Sequence, residues 1–490
     1  MTERDSFRQI FGTEMEWPIS VRKGTDPTNF EPLSISNYID QFLVDALPEG
    51  VVGTLSWLSA SYENYLSNGA RYYNDCGRFE YATPEDVSIE SVVLSEFAGE
   101  RIVIEGLRKH IASARDVREG FLSKRVDGAH HSTWGYHANI GEDRTWLRDV
   151  ADIKMRTRPL LTHLATSLPM LGGGAVSLNG YGEYVYSWGQ KVLTPINEDY
   201  GTGTTSDIGK PIVNLRDKPY ASAEKYWRLH LVGGDPHVSP WASKMFMGTV
   251  SLVLLAAREG RMNGMVFESN GTDAAARVMQ RATFDMKLKE KYYLEGIKGA
   301  SKARDIQEEI INRVDQTTGR TAEQDKILQE WKIAHEVMKR NPDELEKSDA
   351  ILKRRLLYED RDRRKKKTLD AVSRLRDLRY TSSLWITKEQ AQSDATTDEL
   401  IESSPAGKIR RKYFADDMKQ LGSVEDRIVN PPRTTRAYRR GREILRHSAY
   451  WKSWYAYEDL DNKHNRISVL DPFDGAIETE YIKVNDIIKE

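Results

Sequence analysis

Two short segments near the N-terminus place carboxylates inside runs of strand-forming residues. Glu14 and Glu16 lie in the run at residues 12–17. Asp75 and Glu80 lie in a second such run. Because side chains alternate between the two faces of a strand, Glu14 and Glu16 point the same way. Adjacent carboxylates repel unless a cation lies between them, and Mg²⁺ prefers such oxygen ligands. One such segment would indicate only the solvent face of an edge strand, but two favour a metal–nucleotide site.

Cationic residues in three other segments could bind phosphate or carboxylate groups. Arg216 follows a short apolar strand and precedes a proline turn, where a guanidinium can hold an anion through two hydrogen bonds. Arg228 and His230 share a strand face, and Arg436 lies in the first turn of a helix capped by threonine. Each has an ordinary alternative, a salt-bridged strand or a basic surface helix. Together with the paired acids they favour phosphoryl chemistry on a carboxylate, in which cations offset charge and a carboxylate serves as base or nucleophile.

Three histidines cluster as His130, His131 and His137. They lack cysteine companions and the helical spacing of zinc ligands, so a zinc site is not expected. His137 is the candidate for a role in the site, and the others fit a polar loop.

The composition limits the class of protein. The chain has 490 residues, 30% of them charged, and a net charge of −2, which predicts no nucleic-acid partner. Cys76 is the only cysteine, which excludes an intrachain disulfide and a cysteine metal site. The best apolar stretch, residues 245–257, is shorter than a membrane span and predicts a core helix. The N-terminus lacks the order of a signal peptide, so we expect a soluble cytoplasmic protein without membrane contact.

The pattern of apolar residues predicts a mixed part, a charged helical part and a small C-terminal domain. Strands are expected at residues 6–19 and 70–83, and helices at residues 92–114, 153–168 and 241–258. At residues 285–380, alternating charges with apolar residues three to four apart predict amphipathic helices. A proline-containing stretch then precedes a segment with its own aromatic residues. We therefore predict a catalytic domain at residues 1–420 and a C-terminal domain at residues 421–490.

Several short motifs follow one another along nearly the whole chain. They are Gly12-Thr13-Glu14-Met15-Glu16, Asn68-Gly69-Ala70-Arg71 with Asn74-Asp75, Ala98-Gly99-Glu100-Arg101, Asn214-x-Arg216-Asp217-x-Pro219, Tyr226-x-Arg228-Leu229-His230, Pro431-Pro432-x-x-Thr435-Arg436-Ala437 and Asp471-Pro472-Phe473. In this order they resemble the family of the Pup ligase and the related Pup deamidase. A set of motifs in order is much more specific than any one of them.

The resemblance implies an α+β, glutamine-synthetase-like fold: a curved, mostly antiparallel sheet backed by helices, with a small C-terminal domain. It implies ATP and Mg²⁺ as cofactors, and a small Pup-like modifier and lysine-bearing target proteins as partners. In the ligases of this family, ATP phosphorylates the C-terminal glutamate of Pup. A target lysine then attacks and forms an isopeptide bond.

The same resemblance implies roles for individual residues. Glu14, Glu16 and Glu80 would hold Mg²⁺, and Asp75 would act as the base toward the incoming lysine amine. Arg216 and Arg436 would offset phosphate charge, and His230 would lie at the nucleotide or the metal. Together with Arg228 and His137, the cation and the imidazole that the sequence itself indicates, they form the predicted nucleotide- and phosphate-binding set.

The resemblance favours the ligase branch, because the deamidase branch carries a long insertion before the Asn68 motif that this chain lacks. A hydrolase of the same fold, which deamidates or removes the modifier, stays an alternative. A degenerate member that binds nucleotide or modifier without catalysis is another, because Ala138, Ser167 and Gly189 stand where the family has an acid and two arginines. A ligase for a small amino acid or peptide is disfavoured by the C-terminal domain, which could dock a protein.

Overall fold

The computed structural model describes twelve stretches of the chain. They are residues 8–24, 30–33, 63–75, 78–126, 134–193, 196–202, 210–216, 220–268, 274–446, 449–454, 456–459 and 465–474. His130, His131 and Cys76 lie outside the described residues.

Nineteen strands are formed within the described residues. They are β1 (Ile10–Trp17), β2 (Ile19–Lys23), β3 (Phe30–Pro32), β4 (Glu63–Tyr65), β5 (Arg71–Asp75), β6 (Arg78–Ala82), β7 (Val117–Ser123), β8 (Tyr136–Asp143), β9 (Ala175–Leu178), β10 (Tyr184–Ser187), β11 (Ile196–Gly201), β12 (Lys210–Asn214), β13 (Tyr226–Leu231), β14 (Lys291–Leu294), β15 (Ile297–Lys302), β16 (Ser382–Thr387), β17 (Ala449–Ser453), β18 (Ala456–Asp459) and β19 (Asn465–Ser468).

The same part of the chain contains fifteen α-helices. They are α1 (Ile89–Ser113), α2 (Val150–Arg156), α3 (Arg158–Leu171), α4 (Pro240–Arg258), α5 (Ala274–Ala282), α6 (Ala303–Asp315), α7 (Ala322–Arg340), α8 (Asp349–Arg363), α9 (Ala371–Thr381), α10 (Lys388–Ala391), α11 (Thr397–Ser403), α12 (Pro405–Tyr413), α13 (Ala415–Leu421), α14 (Val424–Val429) and α15 (Ala437–Leu445). Short 3₁₀ turns occur at Lys191–Leu193 and Pro342–Glu344.

Eight strands form the main sheet, in the order β11-β12-β13-β8-β1-β6-β5-β4. Neighbouring strands are antiparallel except β11 and β12, which are parallel. Strand β1 ends at Pro18, which has no N–H to donate to a ladder. The chain passes there into β2, which belongs to a separate four-stranded sheet of order β16-β7-β2-β3.

Helices cover one face of the main sheet. Met15 of β1 and Tyr81 of β6 are register partners on that face, and both are buried. Helix α1 packs on them through Gly99, where a Cβ atom would lie 2.4 Å from the ring of Tyr81. Only a glycine permits so close an approach of helix and sheet. The predicted α+β class, a large and mostly antiparallel sheet backed by helices, is therefore confirmed.

Helix α4 is the core helix that the sequence predicts at residues 241–258. Among the described helices, it alone is long and apolar enough to cross a membrane by length and composition, and most of it is buried inside the protein. It packs against α1, α3 and α7. It begins at Pro240 because the side chain of Ser239 accepts a hydrogen bond from the N–H of Ala242.

Two predicted elements are divided in the structure. The strand expected at residues 70–83 is the antiparallel hairpin of β5 and β6, in which Asp75 lies opposite Arg78. The helix expected at residues 153–168 is the pair α2 and α3. Thr157 ends the first helix and begins the second, with Pro159 in the first turn, where proline is well tolerated.

The charged part of the chain is mostly helical, as predicted, but begins with a hairpin. Strands β14 and β15 precede the four helices α6–α9. The turn of the hairpin contains Gly296, whose Cβ position lies 2.7 Å from the Cα atom of Gly264. The hairpin is thus accompanied by a close approach of two glycine backbones, which charge and helical periodicity in the sequence do not predict.

The C-terminal segment packs on the edge of the main sheet. Ile444, Trp454 and Val469 form an apolar cluster with Tyr65 of β4 and Ala82 of β6. Strands β17, β18 and β19 form a small antiparallel sheet of their own. Helices α13 and α14 pack against α1, in the helical layer. The predicted division at residues 420 and 421 stays a prediction.

Candidate active site

Strand register brings the predicted acids onto one face of the main sheet, opposite the helices. Glu16 of β1 lies directly across from Glu80 of β6, and Glu14 lies across from His137 of β8. Met15, between the two glutamates, points into the core. This face therefore combines carboxylates from β1, β5 and β6 with imidazoles from β8 and β13.

Glu14 is surrounded by polar and cationic partners. Its Oε2 lies 3.2 Å from Nδ1 of His137 and 3.5 Å from Nε2 of His230, and its Oε1 lies 3.2 Å from a guanidinium nitrogen of Arg228. The same nitrogen donates to Oδ1 of Asn139 at 2.9 Å. Burial would raise the pKa of Glu14, but the two imidazoles and the charge of Arg228 outweigh it and hold the pKa well below its usual value. Glu14 is therefore a carboxylate whose charge is offset by the protein.

The two histidines of this group are neutral near pH 7. Burial lowers the pKa of both His137 and His230, and the nearby guanidinium of Arg228 lowers that of His230 further. The ring centres are 4.9 Å apart in an edge-to-face arrangement. A neutral imidazole has a free lone pair, which is the form that binds a metal ion.

A second group consists of carboxylates alone. One carboxylate oxygen from each of Glu16, Asp75 and Glu80 lies within 4.8 Å of the other two. Burial raises the pKa of Glu80 well above its usual value, and the charges of Glu14 and Glu16 raise it further. A bound cation would remove this repulsion, and three carboxylate oxygens are the donor set that Mg²⁺ prefers.

Glu16 is held in place from two sides. Its Oε2 accepts a hydrogen bond from the backbone N–H of Gly135 at 2.7 Å and from the guanidinium of Arg78 at 3.0 Å. Arg78 stacks above the ring of Trp134 at 5.5 Å from its centre. The contact with Gly135 could not be found from the sequence, because no motif marks a backbone donor from a distant strand.

The structure groups the predicted ligands differently from the family-based expectation. That expectation placed Glu14 with Glu16 and Glu80, and set Asp75 apart as the base. In the structure Glu14 belongs with the two histidines, because two residues along a strand separate it from Glu16 by roughly 7 Å. Asp75 joins Glu16 and Glu80 because it ends β5 opposite Arg78, at the end of the hairpin where β5 and β6 are connected. The all-oxygen group fits Mg²⁺, and the mixed group of Glu14 suits a softer divalent ion.

A cleft of about 110 Å³ opens beside Glu14 and Arg228. Most of its lining is apolar and comes from β1, β8, β13 and the C-terminal segment. It includes Ile10, Phe11, Tyr220, Trp227, Trp454 and Pro472. The guanidinium of Arg228 lies 5.0 Å from the ring centre of Tyr220. The cleft thus suits a flat apolar group whose charged end points toward the acids.

Arg436 lines this cleft, but its guanidinium is bound to the protein. It lies 2.7 Å from Oε1 of Glu85 and donates to the carbonyls of Val469 at 2.8 Å and Tyr220 at 2.5 Å. Arg440 contacts the other oxygen of Glu85 at 2.5 Å. Within the described residues, Arg436 therefore ties the C-terminal segment to the sheet, and its role as a phosphate ligand stays a prediction.

The threonines before α15 also differ from the prediction. The helix begins without a side-chain cap, with Arg436 at the N-cap position. The hydroxyl of Thr434 donates to Oδ1 of Asp86 at 2.5 Å, and that of Thr435 donates to the carbonyl of Glu85 at 2.6 Å. These contacts fix the C-terminal segment and leave the helix end without its expected cap.

Arg216 lies at the edge of the acidic face. Its N–H donates to Oδ1 of Asn214 at 2.9 Å, and its Nε donates to the carbonyl of Thr202 at 3.2 Å. Asn214 of β12 lies opposite His230 of β13. Arg216 and Arg228 are thus the predicted cations that the structure places near the imidazoles.

The three family departures lie away from the acidic face. Ala138 is buried on the face that the helices cover, opposite Leu231. Ser167 is buried in α3 and donates to a carbonyl of its own helix. The N–H of Gly189 donates to the hydroxyl of Thr283 in the core. An acid or arginine at these backbone positions would not add a group to the acidic face.

Comparison with known proteins identifies relatives along nearly the whole chain. The family model described as "Pup-ligase protein" matches residues 9–457. The Pup–protein ligase of Acidimicrobium ferrooxidans is 28% identical over 481 residues, covering 95% of this chain and 96% of the relative. That of Paenarthrobacter aurescens is 27% identical, with coverage of 95% and 96%.

Two solved structures have the same fold. One is the complex between the prokaryotic ubiquitin-like protein Pup and its ligase PafA, with a TM-score of 0.72 and 17% identity, covering 96% of this chain and 89% of that one. The other is PafA in complex with ADP, with a TM-score of 0.66 and 17% identity, covering 96% of both chains. At this identity the likeness establishes the fold.

Proposed function

The chain belongs to the Pup-ligase family, and from this premise we propose that it is an ATP- and Mg²⁺-dependent ligase. Its reaction joins the C-terminal glutamate of a Pup-like small protein to a lysine of a target protein through an isopeptide bond. Full-length relatives that are Pup–protein ligases support this activity. Solved structures of the same fold with Pup and with ADP support the two kinds of ligand.

The cluster of two buried carboxylates, Glu16 and Glu80, with the half-buried Asp75 is the observation that most supports this function. Three acids in one place, with the pKa of Glu80 raised by burial and by its glutamate neighbours, suit a divalent cation that joins them. When bound, Mg²⁺ and ATP supply the neutralising charge and the phosphoryl group that activates a carboxylate.

The cleft beside Glu14 is the proposed place of the nucleotide base. Trp454 and Tyr220 offer aromatic surface there, and the cleft opens toward Arg228. A base seated in this cleft directs its phosphates along the sheet toward the all-oxygen group. Arg228, Arg216 and the two histidines lie on that path and can donate to phosphate oxygens.

Asp75 is the proposed base. A lysine amine is protonated at neutral pH and must lose a proton before it can attack an activated carboxyl carbon. Glu16 and Glu80 are buried, whereas Asp75 is only half-buried at the end of β5. Of the three carboxylates, it is therefore the one an incoming lysine side chain can reach.

The test is incubation with ATP, Mg²⁺, a Pup-like protein ending in glutamate and a lysine-bearing target, followed by intact-mass spectrometry. We expect a product whose mass is the sum of both proteins less one water, together with ADP. Asp75→Asn should lower the rate by at least roughly 100-fold. Asp116→Asn, on an exposed side chain near β7, should not change it.

Other results would contradict the proposal in distinct ways. Cleavage of a preformed conjugate without net ATP use would identify a hydrolase. Nucleotide binding without turnover, unchanged in Asp75→Asn, would identify a degenerate binding protein. Full ligation by Asp75→Asn would remove the base assignment but leave the activity. The expected cytoplasmic location remains part of the proposal, because the reaction consumes ATP.

A further inference from the structure

Gln190 and Lys191 are two consecutive residues near the acidic face, and the proposed reaction does not use either of them. Both are fully buried, and Lys191 opens the 3₁₀ turn at Lys191–Leu193. Neither belongs to a motif that the sequence singles out. Their side chains reach the two described residues on either side of the stretch 127–133.

Gln190 binds Val126, and Lys191 binds Trp134. The side-chain oxygen of Gln190 accepts a hydrogen bond from the N–H of Val126 at 3.1 Å. The ammonium of Lys191 donates to the carbonyl of Trp134 at 3.1 Å. The N–H of Trp134 in turn donates to the carbonyl of Val126 at 2.9 Å, which closes the arrangement.

The backbone of Gln190 and Lys191 is held in turn by Asp235. The carboxylate of Asp235 accepts hydrogen bonds from three backbone N–H groups, those of Gly173 at 2.8 Å, Gln190 at 2.8 Å and Lys191 at 2.7 Å. The amide of Gln190 also donates to the carbonyl of Gly173 at 3.3 Å. A buried carboxylate with three backbone donors fixes the turn, and so fixes where the two side chains end.

The held segment is the one that positions a candidate metal ligand. Gly135 follows Trp134, donates to Oε2 of Glu16 at 2.7 Å, and accepts from the N–H of Glu16 at 2.9 Å. The ring of Trp134 also lies under Arg78, the other donor to the same carboxylate oxygen. Lys191 thus supports Glu16 indirectly, through the backbone of Trp134 and Gly135.

We propose that Lys191, supported by Gln190 and Asp235, is a positioning residue that holds the Trp134–Gly135 segment so that Glu16 presents its other carboxylate oxygen, Oε1, to the cation. This inference rests on the proposed function, which places the cation at Glu16. Residues that orient metal ligands typically change metal affinity by roughly 10-fold to 100-fold when they are replaced. Lys191→Met keeps an unbranched side chain that is one atom shorter and removes its donor.

The chain offers a matched control in Lys353. This lysine is also fully buried and also donates to backbone carbonyls, those of Gly173 at 2.7 Å and Gly174 at 2.6 Å. It lies beside Asp377 in the core, away from Glu16. Gln190 donates to the same carbonyl of Gly173, so Lys353→Met reports what the loss of a buried lysine does to this backbone and to the fold while the contact of Lys191 with Trp134 is kept.

The experiment titrates the full-length protein with Mn²⁺ and follows the free ion by electron paramagnetic resonance, with the midpoint of thermal unfolding measured in parallel. We expect both variants to unfold at lower temperature than the wild type. Only Lys191→Met should bind Mn²⁺ more weakly, by roughly tenfold or more. Lys191→Gln, which keeps a shorter donor, should lie between the wild type and Lys191→Met, and serves if Lys191→Met does not fold.

The outcomes separate the two proposals. Equal Mn²⁺ affinity in the wild type and both Lys191 variants would overturn the positioning role. Equal weakening in Lys191→Met and Lys353→Met would also overturn it, because the effect would then come from loss of stability. Failure of the wild type itself to bind Mn²⁺ would overturn the proposed function on which the inference rests.

Discussion

Glu80 and Glu85 are close in the chain and differ sharply in surroundings. Glu85 follows β6 and faces Arg440 and Arg436, and although burial would raise its pKa, the two guanidinium charges lower the pKa to about 2. Glu80, within β6, is also buried, but its strongest neighbours are Glu14 and Glu16, and its pKa is raised well above the usual value. The protein neutralises one glutamate by itself, whereas no ion pair with a lysine or arginine is found for the other among the residues that the structure describes.

Glu85 thus serves to join parts of the fold, whereas we propose that Glu80 binds a cation. The Glu85 cluster also includes the carbonyls of Gly69 and Trp454, both bound by Arg440, and it joins the C-terminal segment to the main sheet. Buried like charges around Glu80 cost stability, and proteins keep such arrangements where a ligand relieves them. A cation bound at the proposed site would relieve this repulsion.

The largest expected effect comes from removing Arg440 from the Glu85 cluster. Arg440→Met removes a fully buried guanidinium that donates to Glu85 and to the carbonyls of Gly69 and Trp454, and so leaves three acceptors without this donor. We expect the free energy of unfolding to fall by about 3–5 kcal/mol, measured by denaturant unfolding, because each buried acceptor that loses its donor costs about 1–3 kcal/mol. The control is Arg439→Met in the same helix, whose contact with Asp474 is 3.5 Å long and partly exposed. It should cost less than about 1 kcal/mol, and equal losses in the two variants would refute the cluster's structural role.

The next largest effect tests whether Mg²⁺ binds at Glu80. Mg²⁺ at about 100 times its Kd should raise the free energy of unfolding of the wild type by about 2.7 kcal/mol. Glu80→Gln removes one oxygen ligand and one like charge, so this increase should be mostly lost at the same Mg²⁺ concentration. The midpoint of thermal unfolding with and without Mg²⁺ measures it. A full Mg²⁺ effect in Glu80→Gln would place the cation elsewhere.

The pH dependence of stability should have opposite signs for the two glutamates. Since the folded pKa of Glu85 is about 2 against a usual 4.5, its stabilisation is complete above pH 4.5 and is lost as the pH falls toward 2. Since the folded pKa of Glu80 is raised above 4.5, folding is weakened as the pH rises from 4.5 through that raised pKa.

Denaturant unfolding of the Mg²⁺-free protein between about pH 5 and pH 8 isolates Glu80. The wild type should lose stability with rising pH relative to Glu80→Gln, by about 1.4 kcal/mol for each unit by which the pKa is raised. Parallel curves for the two proteins would show that the carboxylates around Glu80 do not repel one another.

The smallest expected effect concerns a single hydroxyl, that of Thr434, near the Glu85 cluster. Thr434→Val removes the hydroxyl that donates to Asp86 at 2.5 Å. We expect a loss of about 1 kcal/mol in the free energy of unfolding, with no change in Mg²⁺ affinity. A change in Mg²⁺ affinity would mean that the C-terminal segment and the acidic face are coupled.

The sequence predicted the acids and the strand face well, because period-two alternation depends only on local geometry. Glu14 and Glu16 share a face as expected, and Arg228 and His230 both contact Glu14 from another strand. The grouping of Asp75 could not be predicted in this way. It depends on the hairpin of β5 and β6, which the sequence presented as one strand.

Long-range partners account for the remaining differences. The ion pair of Arg436 with Glu85, which lies far away in sequence, could not be predicted from the place of Arg436 at a helix start, and its binding of phosphate stays a prediction. The support that Gly135 and Lys191 give to Glu16 passes through backbone atoms, which carry no sequence signal. Predictions from spacing therefore succeed within an element and fail where separate elements meet.

The most direct test of the uncompensated site is a crystal structure of the protein with Mn²⁺, read by anomalous scattering. We predict a peak within about 2.0–2.6 Å of carboxylate oxygens of Glu16 and Glu80, in reach of Asp75. No peak should occur at Glu85, where two guanidinium groups already balance the charge. A protein saturated with Mn²⁺ that shows no peak between Glu16 and Glu80 would contradict the account.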